Sequence, residues 1–394
     1  MKAERSGAAR PPEQELLLGA CRVDDSQAGR LRRLCQDGLD WNRVRALAIA
    51  QGVLPLLYRR LNGMEAAAPA GELDGLRRLY QANARRNLRL MRQLFQVLDL
   101  FAAHGLAARP FKGLALAAQA YGDPDLRHFT DLDLLIQRQD FPAVYALLNS
   151  AGYRPAYPLQ PQWLERFCRS DKHLPFTGGE AVLEIHWAPA GENSGLALDI
   201  RPFWETCQPV ALANRSIPAS TPECTALLLC IHGAKHCWGQ LKWIADLAHL
   251  LQRQPGLDWD ASLRQARAAG AGRLVYTGLL LAEQLGGAAL PPELSAQASA
   301  DRAAQRLADQ VQRQLFHVSG DPSYVEKAAF FLAAQERLGR RLAYLAGFGL
   351  DLTVTPQPAD WLAVPLPQAL YPLYYLIRPA RLLARSGRRL LGRR

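Results

Sequence analysis

Residues 111–136 read FKGLALAAQAYGDPDLRHFTDLDLLI. Before them, LAARPF (106–111) has strand character, and LALAAQAYG (114–122) has helical spacing. Lys112 and Gly113 stand at the junction. After the turn-forming DPD, residues 132–136 (LDLLI) read as a strand. Residues i and i+2 of a strand share a face, so Asp131 and Asp133 project together while Leu132 and Leu134 point the other way. Two neighbouring carboxylates resist joint ionisation, and burying them is costly unless something pairs with them. A divalent cation removes that conflict. Mg²⁺ is the hard cation that carboxylates and phosphates hold together, with Mn²⁺ as the alternative.

The pattern continues in the same alternation. DFPAVYALLNSAG (140–152) predicts a helix with Asp140 as N-cap and Gly152 as stop, WLERFCRS (163–170) another helix, and EAVLEIHWA (180–188) a strand. That strand offers Glu184 as a third carboxylate for a two-metal clamp, with His186 on the same face. Lys112-Gly113 sits where a strand gives way to a helix N-terminus, a place suited to phosphate. Gly113 permits close backbone approach, and Lys112 adds a point charge. Arg127 has the fork for a phosphate contact, or equally for pairing with Asp123 or Asp125. Without a cation the two aspartates would read as a solvated strand end, and His186 as a structural histidine beside the site.

Around this α/β unit the periodicity is helical. Residues 13–103 carry helical spacing, and it returns beyond Pro222. The expected organisation is a helical region at 1–104, the α/β core at 105–215, a helical bundle at 216–355, and a Pro/Tyr-rich segment with a basic tail at 356–394. The fold class is therefore α+β, a small sheet embedded in helices. Seven cysteines, an odd number without C-x-x-C, argue against a disulfide framework and fit a reducing cytosol. The first twenty residues lack an apolar run, so no signal peptide is expected.

The net charge of +11 is unevenly placed. Residues 378–394, RPARLLARSGRRLLGRR, hold seven arginines and no acid, leaving a charge of four for the rest. The basic balance describes a tail more than a nucleic-acid-binding body. Leucines among the arginines, after ALYPLYYLI, leave contact with an anionic membrane surface open beside packing on the bundle. Prolines there argue against a membrane-spanning helix. His232 and His236 lie at i, i+4, but HGAKH lacks the glutamate of a zinc hydrolase. Lys235 and His236 remain candidates for a helix edge facing nucleotide or acceptor. There is no G-x-S-x-G and no P-loop.

The ordered set FKG, Arg127, Asp131-x-Asp133 and VLEIHW resembles nucleotidyltransferases of the DNA polymerase beta type. More narrowly, it resembles the bacterial family of uncharacterised nucleotidyltransferases. The match covers about residues 105–190. The resemblance implies a mixed sheet flanked by helices. It also implies transfer of a nucleoside monophosphate from an NTP, such as ATP, to a hydroxyl on a small molecule, peptide or protein. Asp131, Asp133 and Glu184 would be the metal ligands and catalytic carboxylates. Lys112 and Gly113 would contact the triphosphate, with Arg127, His186, Lys235 and His236 lining the substrate. Leu114 stands where the wider superfamily has serine, and Thr130 where the narrower family often has a small residue. Two further readings stand beside this one: a non-catalytic nucleotide-binding or scaffold protein, and an RNA-modifying nucleotidyltransferase. The expected location is cytoplasmic, with peripheral contact to the inner membrane face through the tail.

Overall fold

The computed structural model describes residues 10–64, 68–188, 196, 198, 201–317 and 322–391. It is a mixed α+β protein. Helices come first: α1 (Pro12–Cys21), α2 (Ala28–Gln36), α3 (Trp41–Ala50), α4 (Leu54–Asn62) and the long α5 (Ala70–Ala103). The sheet region follows as β1 (Ala108–Pro110), α6 (Gly113–Tyr121), β2 (Asp131–Ile136), α7 (Phe141–Ser150), β3 (Arg154–Pro155), α8 (Pro161–Ser170), β4 (His173–Thr177) and β5 (Val182–His186). A short helix, α9 (Arg201–Glu205), leads into the hairpin β6 (Cys207–Leu212) and β7 (Arg215–Ser220). Beyond it run α10 (Pro222–Lys235), α11 (Leu241–Arg253), α12 (Trp259–Ala269), α13 (Gly272–Gln284), α14 (Pro292–Ala300), α15 (Arg302–Gln314) and α16 (Tyr324–Ala334). The chain ends in α17 (Leu338–Thr353), α18 (Pro358–Ala363) and α19 (Tyr374–Leu391).

The main sheet has the order β1-β2-β5-β4-β3. β2 and β5 run parallel, and the other pairs are antiparallel. β4 and the hairpin β6–β7 were not visible in the periodicity. β4, His-Leu-Pro-Phe-Thr, is short and interrupted by Pro175, and β6 and β7 each contain a proline. The expected strands and helices around Asp131 are present, although Asp140 sits at the start of α7 without a side-chain cap bond.

β2 separates two cores. Leu132, Leu134 and Ile136 join Leu183 and Ile185 of β5 and Phe141, Val144 and Leu148 of α7 in one. On the opposite face, Leu135 belongs to the other core, which the N-terminal helices share with α10–α16. The two acids therefore lie on a face closed off beyond Leu135 by helices. One apolar stretch, ECTALLLCIHGAKHCWGQLKWIADLAHLLQ, is broken between α10 and α11 where Cys237 and Trp238 take positive φ (49° and 53°). The break buries Trp238 against Gly233, where a Cβ would come within 2.6 Å of the indole.

Candidate active site

The parallel register sets Asp133 beside Glu184 and Leu135 beside His186. Buried amides of α5 hold the entrances to both strands. Asn83 Nδ2 donates to the carbonyls of Asp125 and Arg127, at 3.0 and 3.3 Å. Asn87 Nδ2 donates to those of Pro124 and Arg127, at 2.8 and 3.0 Å. Gln93 exchanges two bonds with the backbone of Ala181, one residue before β5. At the far end of β5, the Trp187 indole donates to the carbonyls of Cys168 and Asp171.

Two groups converge on Asp133. Lys112 Nζ and His186 Nε2 both lie 2.9 Å from its Oδ1, and His186 Nε2 is also 3.1 Å from Glu184 Oε2. The imidazole is fixed by an edge contact to Phe111 (5.0 Å between centroids) and by stacking on His173 of β4 (4.9 Å). Burial would raise the Asp133 carboxyl, but Lys112 and His186 outweigh it and hold it well below the usual range. Glu184 is likewise raised by burial, yet its bond to His186 leaves it low. Asp131 goes the other way, because burial and then the charges of Asp133 and Glu184 raise it. The site thus holds the carboxylate conflict that the sequence implied, and resolves it at Asp133 but not at Asp131.

Asp133, Glu184 and His186 each offer a ligand atom, all within 4.8 Å of one another, so they fit a divalent cation. His186 Nε2 bridges the two carboxylates. Asp131 is not in that set. It projects from the same strand face and feels both carboxylates.

A lysine cluster borders the carboxylates. Lys172, immediately before β4, is hydrogen-bonded to Lys235 at the end of α10, and both feel Lys112. Two lysines can share a hydrogen bond only if one gives up its charge. Burial first, and Lys235 next, bring Lys172 down to about 7. Sequence reasoning missed Lys172, which sits at the end of α8 far from the Lys-Gly turn. A lysine just before a strand carries no distinguishing local pattern. Lys235 was expected at this edge. His236 closes α10 and stacks on Trp243 at 4.9 Å, with His232 4.8 Å away.

Gly113 opens α6 with φ +50°, and a Cβ there would stand 3.6 Å from the Asp131 carbonyl oxygen and 3.7 Å from the Phe129 ring. Leu114 is buried in the sheet core, so the first turn of α6 presents backbone N–H groups rather than a hydroxyl. Arg127 is placed differently from its expected phosphate contact. Its buried Nε lies 3.0 Å from both oxygens of Asp246 in α11, and Tyr121 donates to the same carboxylate at 2.8 Å. Asp246 lies 119 residues downstream of Arg127 and outcompetes the local partners Asp123 and Asp125 because the pair is shielded from water.

A small mixed sheet, paired carboxylates on parallel neighbouring strands, and a Lys-Gly helix start match the fold of polymerase-beta-like nucleotidyltransferases. Residues 37–287 match the family described as uncharacterised nucleotidyltransferase, and the chain belongs to it. Among solved structures, the chain is similar to the solution structure of the antibiotic-resistance factor ANT(2'')-Ia. The two are 15% identical with a TM-score of 0.29, over 56% of this chain and 94% of that one, too remote to bear on function. Comparison with curated proteins gives no match.

Proposed function

We propose that the protein is a Mg²⁺-dependent nucleotidyltransferase that moves a nucleoside monophosphate from an NTP to an acceptor hydroxyl on a small molecule, peptide or protein. The observation that carries this reading is the juxtaposition of opposite chemistries: Asp133, Glu184 and His186 form a cation-sized cluster beside Lys112, Lys172 and Lys235. The carboxylates suit a divalent ion, and the lysines suit the polyphosphate it accompanies. Asp131, Asp133, Glu184 and His186 would hold the ion. When bound, it would neutralise charge on the triphosphate and polarise the reacting oxygens.

Lys112 and the first turn of α6, with Lys172 and Lys235, would grip the phosphates. Glu184 would take the proton of the acceptor hydroxyl as that oxygen attacks the α-phosphorus. The α–β phosphoanhydride bond breaks, and pyrophosphate leaves. Isothermal titration should find NTP binding that needs Mg²⁺ and is lost in Asp131→Ala/Asp133→Ala. Equal binding by that variant would sink the assignment. Absence of pyrophosphate release with every acceptor pool would instead favour a non-catalytic nucleotide-binding protein, and labelled RNA an RNA-modifying one.

A second reading concerns the C-terminal helices. Leu338, Leu342, Leu345 and Leu352 form one stripe of α17, and all four are exposed. Leu376 and Leu383 of α19 are 71% and 74% exposed. Arg337 and Arg341 stand beside the start of the α17 stripe, and the basic segment from Arg378 follows; residues 392–394 of the tail lie outside the described residues. No helix among the described residues is long and apolar enough to cross a membrane. An apolar stripe bordered by arginines fits an anionic lipid surface. Co-sedimentation with phosphatidylglycerol vesicles, reduced by Leu342→Glu/Leu345→Glu and weak on phosphatidylcholine, tests this. Equal recovery with both lipids would refute it.

A further inference from the structure

The site lies at the N-terminal end of α6. At the other end is a cavity of about 660 Å³, walled by residues of α1, α2, α4, α6 and α11. α6 has nine residues, so Gly113 and Tyr121 are roughly 12 Å apart along the axis. The cavity is therefore separate from the carboxylates. Its volume is in the range that small-molecule sites occupy.

Its lining is strongly cationic. Arg22, Arg32, Arg59, Arg60 and Arg253 all face it, and Asp25 is its one lining carboxylate. Two of the arginines build the wall. Arg22 pairs with Asp24, and Arg60 pairs with Asp25 while donating to the Arg22 and Asp24 carbonyls. Among the described residues, Arg32, Arg59 and Arg253 make no side-chain ion pair or hydrogen bond. Arg253 lies over the C-terminal end of α6, where Gly122 (φ +68°) leaves it room; a Cβ there would stand 2.5 Å from the guanidinium.

The lining also contains a buried nitrogen without a partner. His249 Nε2 is buried and makes no hydrogen bond. Its ring lies 4.7 Å from the Tyr121 ring, and Tyr121 in turn bonds Asp246, the partner of Arg127. Burial pushes His249 down to about 4, so it is neutral; its ring bonds the Cys21 backbone, which leaves Nε2 to accept one bond from a ligand hydroxyl.

We infer that this cavity binds a phosphate-bearing small molecule at a second site, held by Arg32, Arg59 and Arg253 with His249 at its wall. Guanidinium forks match phosphate oxygens in pairs, and an anion relieves the repulsion among the three.

The test is calorimetry on the full chain without Mg²⁺, with inorganic pyrophosphate in one arm and AMP in the other. Lys112→Ala/Lys172→Ala/Lys235→Ala removes the lysines of the phosphate grip at the far end of α6. In that background one site should remain for at least one probe. Tighter pyrophosphate would indicate an inorganic polyphosphate ligand, and tighter AMP a nucleoside phosphate. Adding Arg59→Glu/Arg253→Glu should weaken the preferred probe by about tenfold or more. Both arginines are exposed, and the Glu pair should unfold at the temperature of its parent. If it does not, Arg59→Gln/Arg253→Gln is read in its place, with weakening again expected. No binding of either probe in the lysine-free background, or affinity unmoved by the arginine substitutions, overturns the inference.

Discussion

Replacing Lys172 by Met should abolish a proton uptake that accompanies NTP binding. In the free chain, burial and Lys235 lower the Lys172 ammonium to about 7. A triphosphate laid across Lys112, Lys172 and Lys235 supplies the missing countercharge and returns Lys172 toward its ordinary value. At pH 8 roughly one Lys172 in ten carries a proton before binding and nearly all do afterwards, so each NTP takes up about 0.9 proton. The sign follows from which state holds the higher pKa. The complex does, so its full affinity is present below about pH 7. Affinity then falls by about tenfold per pH unit as pH rises toward the bound-state value. Titration calorimetry at pH 8 in Tris and in HEPES, whose ionisation heats differ, reads the uptake directly. Wild type should show about 0.9 proton and Lys172→Met near zero. An uptake below about 0.3 in wild type, or the same uptake in the variant, would mean that Lys172 does not meet the phosphates.

Other substitutions probe the frame. Asp246→Ala strands a buried guanidinium and should cost about 3–5 kcal/mol in urea unfolding, whereas a cost below about 1 kcal/mol would show that the Arg127–Asp246 pair is not formed. Asn87→Leu removes an amide that serves two carbonyls before β2. It should cost about 1–3 kcal/mol and weaken Mg²⁺-dependent NTP binding, and unchanged binding would argue that α5 does not position Asp133. Gly113→Ala forces a side chain into φ +50° at the start of α6 and should cost about 1–2 kcal/mol with a loss of NTP affinity; a neutral effect would show that the turn does not need glycine.

Local pattern settled a good deal before any coordinates. The i, i+2 spacing of Asp131 and Asp133 placed both acids on one face, and the leucines between them determined which face would be buried. Glu184 and His186 followed the same rule on β5, and the Lys-Gly junction marked the start of α6. These are short-range properties, because a strand or helix imposes its period on a handful of neighbouring residues. What a single period cannot carry is the partner of each side chain. Arg127 looked equally suited to phosphate or to Asp123 and Asp125, yet it is taken by Asp246 from a helix over a hundred residues on. Lys172 showed no local sign of function, and it joins Lys112 and Lys235 only because β4 lies antiparallel to β5. His186 moved from the edge of the site to its centre because the parallel register brings Asp133 within reach of its Nε2. Periodicity in the chain thus chose the acids and the face they share, whereas register and helix packing chose their partners, because an ion pair, a shared proton or a cation cluster depends on distances of a few ångströms between residues that are remote in sequence.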